Sequence, residues 1–187
     1  MRRVISASFC FAVSCCSAAT TVDLMCDSQH PYLNVAYSTG TDTGTPGLFW
    51  LGVVSPDQTS GTALTSTGWQ SYQGGLYPFQ SRYDNGLPAT IKLSIPFPTD
   101  SNTTSTMAFV GYQVYVGHGV YTTAAAQLVA ERRSALDFVK PQEVAAGSWS
   151  PEYDTDDRYK WSLIQQNMVE SKKYGAVYTI PVFDCAQ

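Results

Sequence analysis

The sequence predicts a mainly β fold of the α+β kind: an antiparallel β-sandwich or strongly curved sheet with one or two helical insertions in its C-terminal part. Three observations carry that prediction. Between residues 20 and 120, apolar residues recur at spacing two among Gly, Pro, Asn and Ser turn signals. No helical period interrupts these strands, which excludes a doubly wound parallel sheet, where helices alternate with strands from the start. Finally, Cys26 and Cys185 stand near the two ends of the expected mature domain and predict a disulfide that ties those ends together.

Taken in order, residues 1–19 read as a secretory signal. Arg2 and Arg3 give a positive start, Val4 to Val13 an uncharged and mostly apolar stretch, and Ser17-Ala18-Ala19 the small residues of a cleavage site. The expected mature unit is therefore a single domain, 20–187. Ala12-Val13-Ser14-Cys15 also resembles a permissive lipobox, and lipidation at Cys15 would anchor the chain to a membrane as an outer-membrane lipoprotein. With Cys10, Cys15 and Cys16 in the leader, Cys26 and Cys185 remain as an even pair. A bridge closing so long a loop is worth about 4–5 kcal/mol on chain-entropy grounds.

Leu33, Val35 and Tyr37 alternate with polar neighbours, as a half-buried strand does. Gly47-Leu48-Phe49-Trp50-Leu51-Gly52-Val53-Val54 is a continuous apolar run and predicts a strand buried on both faces. Ile91, Leu93 and Ile95 form another alternating strand, which Pro96 stops. Asn102-Thr103-Thr104 is a glycosylation acceptor pattern and marks 99–106 as a surface loop. Met107 to Val116 reads as one further strand, with Val110, Tyr112, Val114 and Val116 on one face. Gly117-His118-Gly119 then predicts a sharp turn at the strand's end, with a structural histidine in it.

A helix is expected at about 123–139, capped by Thr123 and stopped ahead of Pro141. A second, at about 157–172, would start at Asp156 or Asp157 and carry Trp161, Ile164, Met168 and Val169 as its apolar stripe. Lys172 and Lys173 suit its C-terminal end and Gly175 its C-cap. Residues 142–154 read as a loop, and Ala176 to Phe183 as a closing edge strand limited by Pro181.

Composition narrows the function. The charged fraction is 14%, below the roughly 25% of average domains, while the chain holds 12 tyrosines. A formal charge of −4 excludes a binder of nucleic-acid backbones, which needs clustered Lys and Arg. No motif requires a cofactor. Histidine is scarce, and neither His30 nor His118 sits beside a Gly-x-Ser-x-Gly nucleophile elbow. Glu152, Asp154, Asp156 and Asp157 are a candidate calcium cluster without the EF-hand order, and Arg158 and Lys160 follow at once. The same acids, Asp154 and Asp157 above all, would serve a secreted hydrolase. Trp69, Tyr72 and Tyr77, with Phe79 and Tyr83, fall in a Gly- and Ser-rich segment and are candidates for an interaction or stacking surface.

Three pieces together resemble uncharacterised β-rich modules of bacterial secreted and surface proteins. They are Gly47 to Val54 followed by Thr67-Gly68-Trp69, then Val114-Tyr115-Val116-Gly117-His118-Gly119, and finally Lys173-Tyr174-Gly175-Ala176-Val177-Tyr178-Thr179-Ile180. Those modules often carry a Val-Tyr-Val-Gly-Tyr-Gly-like strand, and here His118 replaces the second Tyr. The resemblance implies a surface or appendage-associated part with no active site. Export, one terminal disulfide and the absence of a catalytic constellation lead to the same expectation. It is a non-enzymatic extracytoplasmic domain, periplasmic, secreted or on the cell surface, that acts in an envelope or cell-surface assembly through protein–protein contacts. Its partner would be an envelope or surface protein or a second copy of itself. The alternatives are a carbohydrate-binding module stacking glycan on Trp69, Tyr72 and Tyr77, and a hydrolase built on residues 152–157.

Overall fold

A computed structural model of the chain describes residues 20–27, 30–98 and 105–186. The expected leader, the Cys15 lipobox and the Asn102 acceptor site lie outside the described residues. Among the described residues nine strands form two antiparallel sheets. The smaller joins β1 (Thr21–Asp27), β2 (His30–Ser38) and β7 (Thr90–Pro96) in the order β1-β2-β7. The larger contains β3 (Gly47–Val54), β4 (Gly61–Thr65), β5 (Gly68–Ser71), β8 (Gln113–Val120) and β9 (Tyr174–Thr179) in the order β5-β4-β3-β8-β9. The short β6 (Ser81–Tyr83) pairs with one end of β3. Two helices, α1 (Thr123–Ala146) and α2 (Asp157–Glu170), follow β8. The fold is mainly β, sandwich-like, with its helices in the C-terminal part, as the sequence predicts.

The alternating residues of β2 and β7 face the larger sheet. Leu33, Val35, Tyr37, Ile91 and Ile95 meet Phe49, Leu51, Val53, Val114 and Val116 in the main core. Burying each such side chain is worth about 1.5–3 kcal/mol. β3 is buried on both faces because a second layer covers it from the other side. There Leu48 and Trp50 pack against Ile164 and Met168 of α2. The molecule is thus layered as small sheet, large sheet, helix, with β3 in the middle.

The Gly117-His118-Gly119 stretch corrects the sequence reading. No turn occurs there; β8 runs straight through to Val120, and neither glycine has a positive φ. The turn lies earlier, where a short 3-10 segment (Met107–Phe109) and Gly111 (φ 83°) precede the strand, so the expected strand 107–116 begins at Gln113. The glycines at 117 and 119 answer a need for close approach. A Cβ on Gly119 would stand 2.1 Å from the Ile164 carbonyl oxygen of α2, and one on Gly117 2.6 Å from Lys173 O. Bare backbone on the outer face of β8 is what lets α2 and the start of β9 settle onto the sheet.

The helices also differ from expectation. α1 is capped by Thr122, whose Oγ1 accepts from the Ala125 N–H at 3.1 Å, one residue before the expected cap. It runs through Pro141 to Ala146 and ends on Gly147 in the left-handed region (φ 71°). A proline inside a helix costs about 3 kcal/mol and removes one ladder bond. It is tolerated here because this end of α1 stands in solvent, where water can take the freed carbonyl. Within α1, Ala125 and Val129 are buried, while Phe138 is 79% exposed. α2 ends at Glu170, with Lys172 (φ 53°) taking the left-handed position that the sequence assigned to Gly175. Gly175 lies inside β9, which starts two residues earlier than expected.

Cys26 and Cys185 lie in disulfide geometry with Cα atoms 5.6 Å apart, within the roughly 4.4–6.8 Å that a bridge requires. Thr106, fully buried, carries the C-terminal tail to that position. Its Oγ1 donates to Pro181 O at 2.8 Å and accepts from the Phe183 N–H at 3.0 Å, while its own N–H donates to Phe183 O at 2.9 Å.

Candidate functional site

α2 covers one half of the outer face of the large sheet and leaves the other half open. That uncovered half forms a groove of about 440 Å³, within the roughly 300–1,000 Å³ of small-molecule sites. Its floor is made of small residues, Gly52 on β3 and Gly61 and Ala63 on β4, which keep the sheet surface low. Rings rise around that floor. Tyr72 meets Tyr77 edge to face at 4.9 Å, Tyr77 stacks on Tyr174 at 5.9 Å with 21° between planes, and Tyr174 lies 5.3 Å from Tyr115.

The rings come from separate elements, and each is held for its own reason. Tyr115 and Tyr174 stand on the outer faces of β8 and β9. Tyr77 sits in the loop between β5 and β6, and its backbone is clamped from three sides. The Trp50 and Trp161 indole N–H groups donate to its carbonyl at 2.8 and 3.1 Å, and its own N–H donates to Gln165 Oε1 at 2.6 Å. The same loop turns through Gly74 and Gly75, both at positive φ, where Tyr72 Oη donates to Gly75 O at 3.0 Å. Burial first, then the neighbouring Tyr77, Tyr115 and Tyr72 hydroxyls, push the Tyr174 phenol far up. It stays protonated at neutral pH and keeps a proton to donate.

A polar rim completes the groove. Residues 55–60 form a tight loop. Ser55 Oγ donates to Asp57 Oδ1 at 2.6 Å and accepts from the Ser60 N–H at 3.1 Å, and Thr59 donates to Asp57 through both its N–H and its hydroxyl. The Asp57 charge is turned into this loop, where the bonds from Ser55 and Thr59 hold its carboxyl below the usual range. Gln58 is left on the groove side at φ 58°, a conformation uncommon for a non-glycine residue. Gln73, in the loop after β5, also lines the groove. The lining holds hydroxyls, amides and rings, and among the described residues none that lines it is charged.

Of the three aromatics singled out in the sequence, the structure joins Tyr72 and Tyr77 and places Trp69 elsewhere. Trp69 packs against the main core, and its indole N–H donates to Pro96 O at 2.8 Å, so it ties the edge of the large sheet to the end of β7. Sequence reasoning missed Trp50, Tyr115, Tyr174, Gln58 and Gln73. Tyr115 was legible as a strand residue, Tyr174 fell just ahead of the expected strand, and their facing a common groove depends on which part of the sheet α2 covers.

The acidic cluster is dispersed among cations. Asp154 pairs with Lys140 at 2.6 Å, Asp156 with Arg132 and Arg133 at 2.5 and 2.9 Å, and Asp157 with Arg82 at 3.5 Å. Among the described residues no three His, Cys, Asp or Glu side chains come together as metal ligands, so the candidate calcium set, including Glu152, does not assemble. Its acids instead fasten α1 and β6 to the start of α2.

His118 anchors a second polar group that the sequence did not foreshadow. It is 4% exposed and faces the small sheet beside Phe49. Its Nε2 lies 2.7 Å from Asp42 Oδ2 and its Nδ1 2.6 Å from Tyr37 Oη. Because a carboxylate accepts, Nε2 carries the proton and Tyr37 donates to Nδ1. Lys173 Nζ meets the same Asp42 oxygen at 2.6 Å and donates to Asn167 Oδ1 at 3.2 Å. Burial lowers the His118 pKa against an opposing pull from Asp42. Burial works to raise that of Asp42, and the bonds from Lys173 and His118 outweigh it to leave the carboxyl low. Burial and the Asp42 charge push Tyr37 up to about 12. The Tyr37 hydroxyl lies in the core, and the group joins β2, the Gly40–Asp42 turn, β8, α2 and the segment leading into β9.

Fold and site together define a helix-covered β-sandwich that carries an uncharged, tyrosine-walled groove on its larger sheet. Comparison with protein families, with curated proteins and with solved structures finds no match.

Proposed function

We propose that this is a non-enzymatic binding domain working outside the cytoplasm, in an envelope or cell-surface assembly, and that it makes its contact through the tyrosine groove. The observation that carries the reading is the groove's construction: half-buried rings fixed in place around a floor kept bare by Gly52, Gly61 and Ala63. Rings held rigidly lose little freedom on binding, which favours recognition. The leader-like N-terminus and the paired Cys26 and Cys185 support an oxidising location. Against the hydrolase alternative, the acids at 154, 156 and 157 are each engaged by a basic side chain. The test is site-specific photo-crosslinking in the exporting cell. A crosslinker replacing Tyr72 should capture envelope material, and one replacing Lys92, on the solvent face of the small sheet, should not. Equal capture at both positions would overturn the reading.

A further inference from the structure

We infer that the groove takes a neutral oligosaccharide, a proposal that rests on the groove being the binding site. Four features of its lining select that chemistry. Among the described residues no charged side chain lines it, so an anionic or cationic ligand would lose its hydration with no opposite charge in return. A purely apolar ligand fits no better, because it would bury the amides of Gln58 and Gln73 without partners.

A ligand is needed that offers donor and acceptor on the same atoms at the rim and an apolar face to the rings. Sugar hydroxyls both donate and accept, as the Gln amides and tyrosine hydroxyls do. One face of a pyranose is a patch of C–H groups with slight positive charge, suited to the negative face of an aromatic ring. An extended proline-rich peptide also suits aromatic grooves, yet it offers carbonyl acceptors and no N–H at proline, so the Gln58 and Gln73 amide oxygens would go without donors. The fourth feature is Gln58. It holds a strained left-handed backbone, fixed by the Ser55–Asp57–Thr59 bonds, and that conformation puts an amide on the rim.

The experiment is titration calorimetry of the oxidised protein with hexamers of glucose in α- and β-linkage and of N-acetylglucosamine, alongside oligogalacturonate and a decaproline peptide. The expected result is saturable binding of at least one neutral hexamer and none of oligogalacturonate. Tyr72→Ala should weaken that binding at least tenfold. Gln58→Gly should weaken it similarly while leaving the melting temperature equal or higher, since glycine relieves the positive φ; this variant separates lost binding from lost folding. Binding of decaproline or oligogalacturonate in place of the neutral hexamers overturns the inference. So does hexamer binding that neither variant affects. If no hexamer binds while the Tyr72 crosslink to envelope material persists, the saccharide assignment fails and the groove stands; if that crosslink is absent as well, both fail.

Discussion

Replacing Gly119 by Ala tests why α2 lies where it does. The added Cβ would stand 2.1 Å from Ile164 O, while carbon–oxygen contacts in proteins settle near 3.3 Å or beyond. β8 and α2 must therefore separate by roughly 1 Å at that point. The obstruction is backbone on both sides, so no rotamer change relieves it. If both elements yield together, the overpacking costs about 2 kcal/mol. If α2 is lifted off, Ile164 and Met168 lose their burial, and the loss approaches about 6 kcal/mol. For a domain of this size each kcal/mol lowers Tm by about 2–4 °C. Urea unfolding of the oxidised protein, followed by circular dichroism, measures the difference directly. Gly175→Ala is the matched control, because nothing lies within 4 Å of its Cβ and its change should stay within about 0.5 kcal/mol. If Gly119→Ala unfolds at the wild-type midpoint, the close-approach argument is wrong.

Acid should weaken the domain in two stages. His118 binds its proton less readily folded than unfolded, so its contribution is complete above the ordinary value of 6.5 and is lost as pH falls below it. Asp42, held low when folded, adds stability above 3.8 that disappears as pH falls through its folded value. Urea midpoints from pH 8 to 5 should fall with a slope of at most about 1.4 kcal/mol per pH unit from His118, and His118→Gln should flatten it. Thr106→Val leaves the Phe183 N–H and Pro181 O without the hydroxyl and should cost about 1–3 kcal/mol, read from the same curves. Cys185→Ser should lower stability by up to about 5 kcal/mol, the chain-entropy value for a loop of 159 residues, with thiol titration confirming a bridge in the wild type. Pro141→Ala should restore one ladder bond in α1 and slow amide exchange over residues 141–146 without moving the global midpoint.

Much of the sandwich was readable because burial on one face writes itself as spacing two. Leu33, Val35 and Tyr37 in β2 and Ile91, Leu93 and Ile95 in β7 kept that rhythm, and the unbroken apolar run of β3 announced a strand covered on both sides. The same rhythm says nothing about what covers a face. Gly117 and Gly119 look identical in sequence whether they permit a turn or a close neighbour, and only the position of α2 decides. Pro141 is a helix stop by local rules, and solvent around the end of α1 relaxes that rule. Asp42, in a short turn, and Lys173, between α2 and β9, carry no spacing that points to His118; pairing of β3 with β8 and β8 with β9 brings them together. The groove is a tertiary object of the same kind, since Gln58, Tyr72, Tyr77, Tyr115 and Tyr174 share no local pattern.

Hydroxyl-radical footprinting of the protein in place on the cell envelope and free in solution decides whether recognition occurs on the open half of the large sheet. Tyr72, Tyr77 and Tyr115 should become protected in place, while Phe138, exposed near the far end of α1, should react equally in both states. Protection at Phe138 and Val139 with the groove tyrosines unchanged would contradict recognition there.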